Sequence, residues 1–181
     1  MLISVLTVML LFLFSSVSAD KQPVWEWSSP SAITNVDISS DSKNVSATYG
    51  RSVSLWINDT SDPFNTKTES DGIRYMEMSS NGKYVITGEE IDKTLTLRSN
   101  GSKIWSKSGF LNSLNGIDIS DNGDNITAID FRNVYYFSKE SNSEVWNYYI
   151  ESQQMTSVSI SPDGRYIAAG TQDGNVYVFL T

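Results

Sequence analysis

The chain has 181 residues, no cysteine, no histidine and a formal net charge of −8. Such acidity argues against nucleic acid and anionic membrane surfaces as partners, because both call for clustered Lys or Arg. The two absent residue types exclude disulfides, thiolate nucleophiles, Ser-His-Asp and Cys-His catalysis, and metal sites built on Cys or His.

Residues 1–19 read as a cleaved signal peptide. Leu2 to Phe14 is almost wholly apolar, and Val17-Ser18-Ala19 ends the segment in small residues. The apolar run is 13 residues long, short of the ~20 that a membrane helix needs. No Lys or Arg precedes it, and an uncleaved membrane anchor is the alternative reading. No cysteine follows it, which removes a lipoprotein-type thiol anchor. The expectation is a secreted or extracytoplasmic chain starting at Asp20, with residues 20–181 as one domain.

Asp20 to Gln22 reads as a short tail, and Pro23 to Trp27 as a strand. From there one pattern recurs, and its clearest copy is the last. Val158 and Ile160 alternate with Ser157, Ser159 and Ser161, the period of a strand with one buried face. Ser161-Pro162-Asp163-Gly164 is a turn, in which proline presets φ, aspartate bonds its own backbone and glycine accepts a positive φ. Tyr166 to Ala169 is a second strand, Asp173-Gly174 a hairpin, and Val176 to Phe179 a β-branched and aromatic third strand.

The strand end and its turn recur at Ile38, Met78, Ile119 and Ile160, in steps of 40, 41 and 41 residues. Large apolar residues stand five positions before each anchor (Ile33, Ile73, Leu114, Met155) and two before it (Val36, Met76, Ile117, Val158). Aromatic lead-ins stand 14 before the later anchors (Phe64, Trp105, Trp146), and Trp25 stands 13 before the first. A period near forty with four short strands is that of a β-propeller blade. The predicted fold class is therefore all-β: four repeats, each a four-stranded antiparallel sheet, preceded by a signal-peptide helix. Pro23–Trp27 is expected to be an outer, fourth strand, since the chain stops after the third strand of its last unit. Two architectures remain open, an arc or half-propeller and a small closed ring. A narrow ring is harder to hold without disulfides, which favours the arc.

The stretch from Ile160 to Phe179 resembles a WD-repeat blade. Ser102-Lys103-Ile104-Trp105 and Ser143-Glu144-Val145-Trp146 are similar to the blade ends of quinoprotein-like (PQQ-like) repeats. The resemblance spans roughly Pro23 to Thr181 and implies a propeller, a fold that serves many unrelated tasks. No Gly-His pair and no Trp-Asp ending occurs, so the His-containing hydrogen-bond network of WD repeats is not expected. Quinoprotein dehydrogenases hold a cofactor and Ca²⁺ at the centre of an eight-bladed ring and many carry adjacent cysteines. This chain has half the blades and no cysteine.

In a propeller the loops between second and third strands share one face with the crossovers between blades. The former carry Arg51, Glu89, Glu90, Asp92, Asp130, Arg132, Gln172 and Asp173; the latter carry Glu69, Asp71, Phe110 and Glu151 to Gln154. A ring of such carboxylates is a candidate site for Ca²⁺ or a cationic ligand, because hard cations take several oxygens. Solvated hairpin loops are the plainer account of the same residues. Asp41, Asp121 and Asp163 belong to turns on the opposite face. Trp25, Trp105 and Trp146 recur at repeat spacing and are expected to pack blades, whereas Trp56 breaks the pattern and is a candidate for exposure. Tyr148 and Tyr149 allow either role. Four sequons, at Asn44, Asn58, Asn100 and Asn125, can carry glycans in a secreted chain, with Asn58 and Asn100 in turns the better acceptors.

The function expected from the sequence is a non-enzymatic, extracytoplasmic binding or assembly module without a resident cofactor. Its ligand would be a protein, peptide or glycan, and an open arc would self-associate through its uncovered blade faces. The alternatives are a calcium- or quinone-dependent enzyme and a shortened copy of a longer propeller.

Overall fold

A computed structural model describes residues 22–58 and 60–181; the expected signal peptide and its cleavage site lie outside the described residues. The first sheet holds β1 (Ile33–Ile38), β2 (Asn44–Tyr49), β3 (Ser52–Ile57) and β4 (Asn65–Thr68). The second holds β5 (Ile73–Met78), β6 (Tyr84–Glu89), β7 (Leu95–Ser99) and β8 (Ser102–Lys107). The third holds β9 (Gly116–Ile119), β10 (Asn125–Ile129), β11 (Asn133–Ser138) and β12 (Trp146–Tyr149), and the last holds β13 (Met155–Ile160), β14 (Tyr166–Thr171) and β15 (Val176–Leu180). Neighbours in sequence are neighbours in each sheet, so all four are antiparallel meanders, the last with three strands. Among the described residues there is no helix.

A local device starts every unit. The Ser39 hydroxyl donates to Asp41 Oδ1 (2.7 Å) and accepts the Asn44 N–H (2.9 Å), while Asp41 Oδ1 accepts the Lys43 N–H (3.0 Å). The same wiring recurs at Ser79–Asn81, Ser120–Asn122 and Ser161–Asp163. The next residue is left-handed each time: Gly82 (φ 70), Gly123 (φ 79) and Gly164 (φ 73), but Ser42 (φ 61) in the first unit. Glycine serves a second purpose here, because a Cβ on Gly123 would stand 2.1 Å from the Tyr84 ring of the preceding blade.

The sheets are stacked as blades. Their first strands, β1, β5, β9 and β13, lie side by side. Ile38, Met78, Ile119 and Ile160 end those strands in one register, opposite Val45, Val85, Ile126 and Ile167. Each junction presses one face of a blade on the opposite face of the next, as a sheet with two apolar faces requires. Between blades 2 and 3, Ile86, Leu97 and Trp105 meet Ile117, Ile126 and Phe137. Between blades 3 and 4, Ile129, Val134 and Tyr136 meet Ile160, Ile167 and Ala169. Side chains of this size contribute about 1.5–3 kcal/mol each when fully buried.

The junction of blades 1 and 2 is smaller and wetter in composition. Val53 and Leu55 meet Met76, Met78 and Val85, and on the same facing surfaces lie Ser46 and Thr87, fully buried, with no hydrogen-bond partner among the described residues for either hydroxyl. Backbone stitches run beneath all three junctions, from Ser40 N–H to the Ser80 carbonyl (2.8 Å), Asn81 N–H to Asp121 (3.2 Å) and Asp121 N–H to Pro162 (3.1 Å).

The arrangement is an open arc. Val36 (70% exposed) and Ile38 on blade 1, and Val176 and Val178 (64%) on blade 4, face outward at its two ends. Pro23–Trp27, expected as an outer strand, carries no strand pairing. It lies instead on the outward face of blade 1, where Trp25 stacks on Trp56 and Trp27 packs edge-on against it. The reason is geometric: β15, the edge it was expected to join, belongs to the opposite end of the arc. The same contacts bury Trp56 to 3% exposure, correcting the expectation that it stands free.

Three substitutions test this account by urea unfolding. Phe137→Ala should cost about 3–5 kcal/mol, while Val145→Ala, at a residue 59% exposed, should cost less than about 1 kcal/mol. Thr87→Val, which keeps the shape and removes an unpaired buried hydroxyl, should stabilise the chain by about 1 kcal/mol.

Candidate functional site

The face that carries the β2–β3 type hairpins is closed by backbone bonds to the crossovers. Glu69 N–H donates to the Arg51 carbonyl (2.8 Å), Glu90 N–H to Gly72 (3.0 Å), Ile150 N–H to Arg132 (2.8 Å) and Gln172 N–H to Gln154 (2.9 Å). Hairpin and crossover residues therefore share this upper face, as the repeat pattern implies.

The acidic side chains there divide into two kinds. Glu89 is buried and accepts bonds from Ser70 Oγ (2.7 Å) and the Asp71 N–H (3.2 Å). Burial pushes its carboxyl above the usual range, partly offset by the Ser70 hydroxyl. Asp130 is fully buried and accepts from the N–H groups of Arg132 (3.0 Å) and Asn133 (2.9 Å), the Asn133 amide and the Tyr135 hydroxyl (both 2.9 Å). Burial, then this bond to Asp130, raises the Tyr135 hydroxyl. Both carboxylates are occupied in holding loops. Glu90, Asp92, Gln172 and Asp173 are exposed; Glu90 lies 3.8 Å from Arg74. Arg51 is exposed and donates to the Ser70 carbonyl (3.2 Å). Asp71 accepts the Ile91 N–H, which holds its carboxyl below the usual range. Among the described residues no three acidic groups converge on a point where a metal ion could sit.

What does converge is a mixture of apolar and polar side chains. Leu111, Asn112, Phe131, Arg132, Asn133 and Tyr149 line a hollow of about 330 Å³ above blades 2 and 3. A second hollow, of about 200 Å³, adjoins it through Leu111 and Asn133 and reaches the ion pair of Lys107 and Glu144 (2.9 Å). Leu111 is 74% exposed and Tyr149 51%, and Ile91 on the neighbouring hairpin is exposed as well. Lys93 Nζ pins the crossover by donating to the Leu111 carbonyl (2.9 Å), and Arg132 Nη1 donates to the Tyr149 hydroxyl (3.1 Å). Phe110 is turned inward, edge-on to Tyr135 at 4.9 Å. Tyr149 was legible in the sequence as an ambiguous aromatic. Leu111 and Phe131 were not, since an apolar residue in a loop carries no period.

Elsewhere, Asn58 (φ 60) and Asn100 (φ 48) are exposed in turns. Asn44 and Asn125 are half-buried against Gly82 and Gly164 of the next blade, so a glycan on either would have to displace that turn. A buried ion pair missed by sequence reading joins Arg98 on β7 to Glu69 from the preceding crossover, both side chains under 10% exposed (6% and 7%).

Residues 145–179 match the family model described as WD domain, G-beta repeat. The matched segment runs from the outer strand of blade 3 to the third strand of blade 4, one repeat in the register read from the sequence. The matched segment is a WD-repeat-like blade, and the sheets before it repeat its antiparallel strand order. Comparison with curated proteins finds no match for the chain. The match and the blade-like sheets support a propeller-type binding or assembly module.

On the first strands, Asp37, Glu77 and Asp118 stand one per blade, each one position before its anchor. Asp37 Oδ2 accepts the Met78 N–H (2.8 Å) and Asp118 Oδ2 the Ile160 N–H (2.7 Å), each reaching across a junction. Glu77, between them, has its carboxyl pushed up to about 7 by burial, with Asp118 and Asp37 adding to the effect. A raised carboxyl binds its proton more tightly folded than unfolded. Its contribution is thus full below the unfolded value near 4.5 and is lost as pH rises through about 7. Glu77→Gln should therefore leave stability at pH 4 nearly unchanged and raise it at pH 8 by about 1 kcal/mol, after discounting for solvent screening. Thermal melts of both proteins at the two pH values measure this.

Proposed function

We propose that the chain is an extracytoplasmic, non-enzymatic module that binds an extended protein or peptide segment across the upper face of blades 2 and 3. The observation that carries this reading is the pair of joined hollows under Leu111, with Phe131 and Tyr149 exposed beside Arg132. Aromatic residues and arginine are the side chains that most often dominate binding energy at protein interfaces. The hollows are shallow and wide, a shape that suits a chain segment laid across them better than a small molecule enclosed on all sides. Glu89 and Asp130 are already committed to loop geometry, so the module works in this reading without calcium or another cofactor. The extracytoplasmic address rests on the leader pattern of residues 1–19, and glycans, where the host adds them, go on Asn58 and Asn100.

A peptide library displayed on phage and panned on the purified chain tests the reading. Enriched peptides should bind the Phe131→Ala/Tyr149→Ala variant at least tenfold more weakly, equivalent to about 1.4 kcal/mol or more. Peptides that bind the variant as tightly as the parent would place recognition elsewhere. A cofactor absorbance band, or a thermal shift on adding calcium, would favour an enzyme instead.

A further inference from the structure

Two aromatic contacts repeat at the outer rim of the internal junctions. Trp105, on the outer strand of blade 2, lies 5.9 Å from Phe137 of blade 3, and Trp146, on the outer strand of blade 3, lies 5.4 Å from Phe179 of blade 4. Phe137 and Phe179 hold one register position, opposite Ile126 and Ile167. The blade 1 residue at that position, opposite Val45, is Trp56. Trp25 lies 5.9 Å from it. Residues 23–27 thus sit against blade 1 where the outer strand of a preceding blade would sit, yet among the described residues no such blade stands beside them. At the other end of the arc, β15 has no fourth strand, and Val176, Val178 and Leu180 on its outward face are exposed.

We propose that a second copy of this chain supplies the missing blade. Its β13–β15 sheet packs on blade 1 of the first copy, and residues 23–27 of the first copy pair with its β15 as the fourth strand. The register follows from blade 3, where Trp146 opposes Tyr136 and Tyr148 opposes Val134. By the same alignment Trp25 opposes Val178 and Trp27 opposes Val176. The junction is heterologous, one end against the other, and two copies satisfy both ends by making it twice, which closes a ring of eight blades. One place differs from the internal junctions: Ser42 stands where Gly82, Gly123 and Gly164 receive the preceding blade, so the incoming Tyr166 has to sit farther out by the width of a Cβ.

The inference is independent of the upper-face ligand and is read by mass. Sedimentation of the purified protein should give twice the mass of one chain. Val178→Lys puts a charge in the junction at a residue exposed in the single chain, and should weaken pairing about a hundredfold or more with an unchanged far-ultraviolet spectrum. Ser42→Gly should tighten pairing. Because the chain has no cysteine, a Trp27→Cys/Val176→Cys variant has only those two thiols, and oxidation should give disulfide-linked pairs on a non-reducing gel. A single-chain mass, a Val178→Lys variant that pairs as tightly as the parent, or a disulfide formed within one chain would each overturn the proposal, the last in favour of a closed four-bladed ring.

Discussion

A four-stranded sheet with apolar side chains on both faces cannot satisfy them alone, and this constraint orders the whole chain. Ile86 and Leu97 are wholly buried only because Ile126 and Phe137 arrive on the next sheet. The polar parts follow the same logic. Asp37 and Asp118 each reach across a junction to an N–H of the next first strand, and the turn glycines exist as much for the neighbouring blade as for their own φ. Stability in such an array is close to a sum over blades and junctions rather than a property of one central core.

The upper face is where this architecture spares residues for other work. Its hairpins and crossovers are fixed by backbone bonds and by Glu89 and Asp130, so Leu111, Phe131 and Tyr149 can be held out of the core on a rigid base. Rigid presentation of exposed aromatics limits the entropy lost on binding. The arc's two uncovered ends are a separate matter, since their side chains match the inside of a junction rather than a ligand surface.

How far the sequence could be read depended on whether the cause was local. The anchors at Ile38, Met78, Ile119 and Ile160 were legible because Ser, Asx and a left-handed residue close each turn within six positions. The strand faces followed from alternation. What escaped was set by distant partners. Arg98 sits at a position that is Trp56, Phe137 or Phe179 in the other blades, and is matched by Glu69 only through the crossover. Glu89 and Asp130 looked like members of a binding ring, but hairpins that fold back onto crossovers turned both inward. Trp25 makes the kind of contact that Trp105 and Trp146 make, but Pro23–Trp27 forms no strand, because alignment alone does not say which sheet edge lies within reach.

The contrast between junctions sets an order of failure. Blade 1 is held by a few apolar side chains beside the unpaired hydroxyls of Ser46 and Thr87, whereas blades 2, 3 and 4 share two larger clusters. Under heat or mechanical load a single unpaired chain would unravel from its amino-terminal end like a zip, blade 1 peeling away while the remaining three still form a folded block. A proteolytic fragment beginning near Ile73 would then outlive the intact chain.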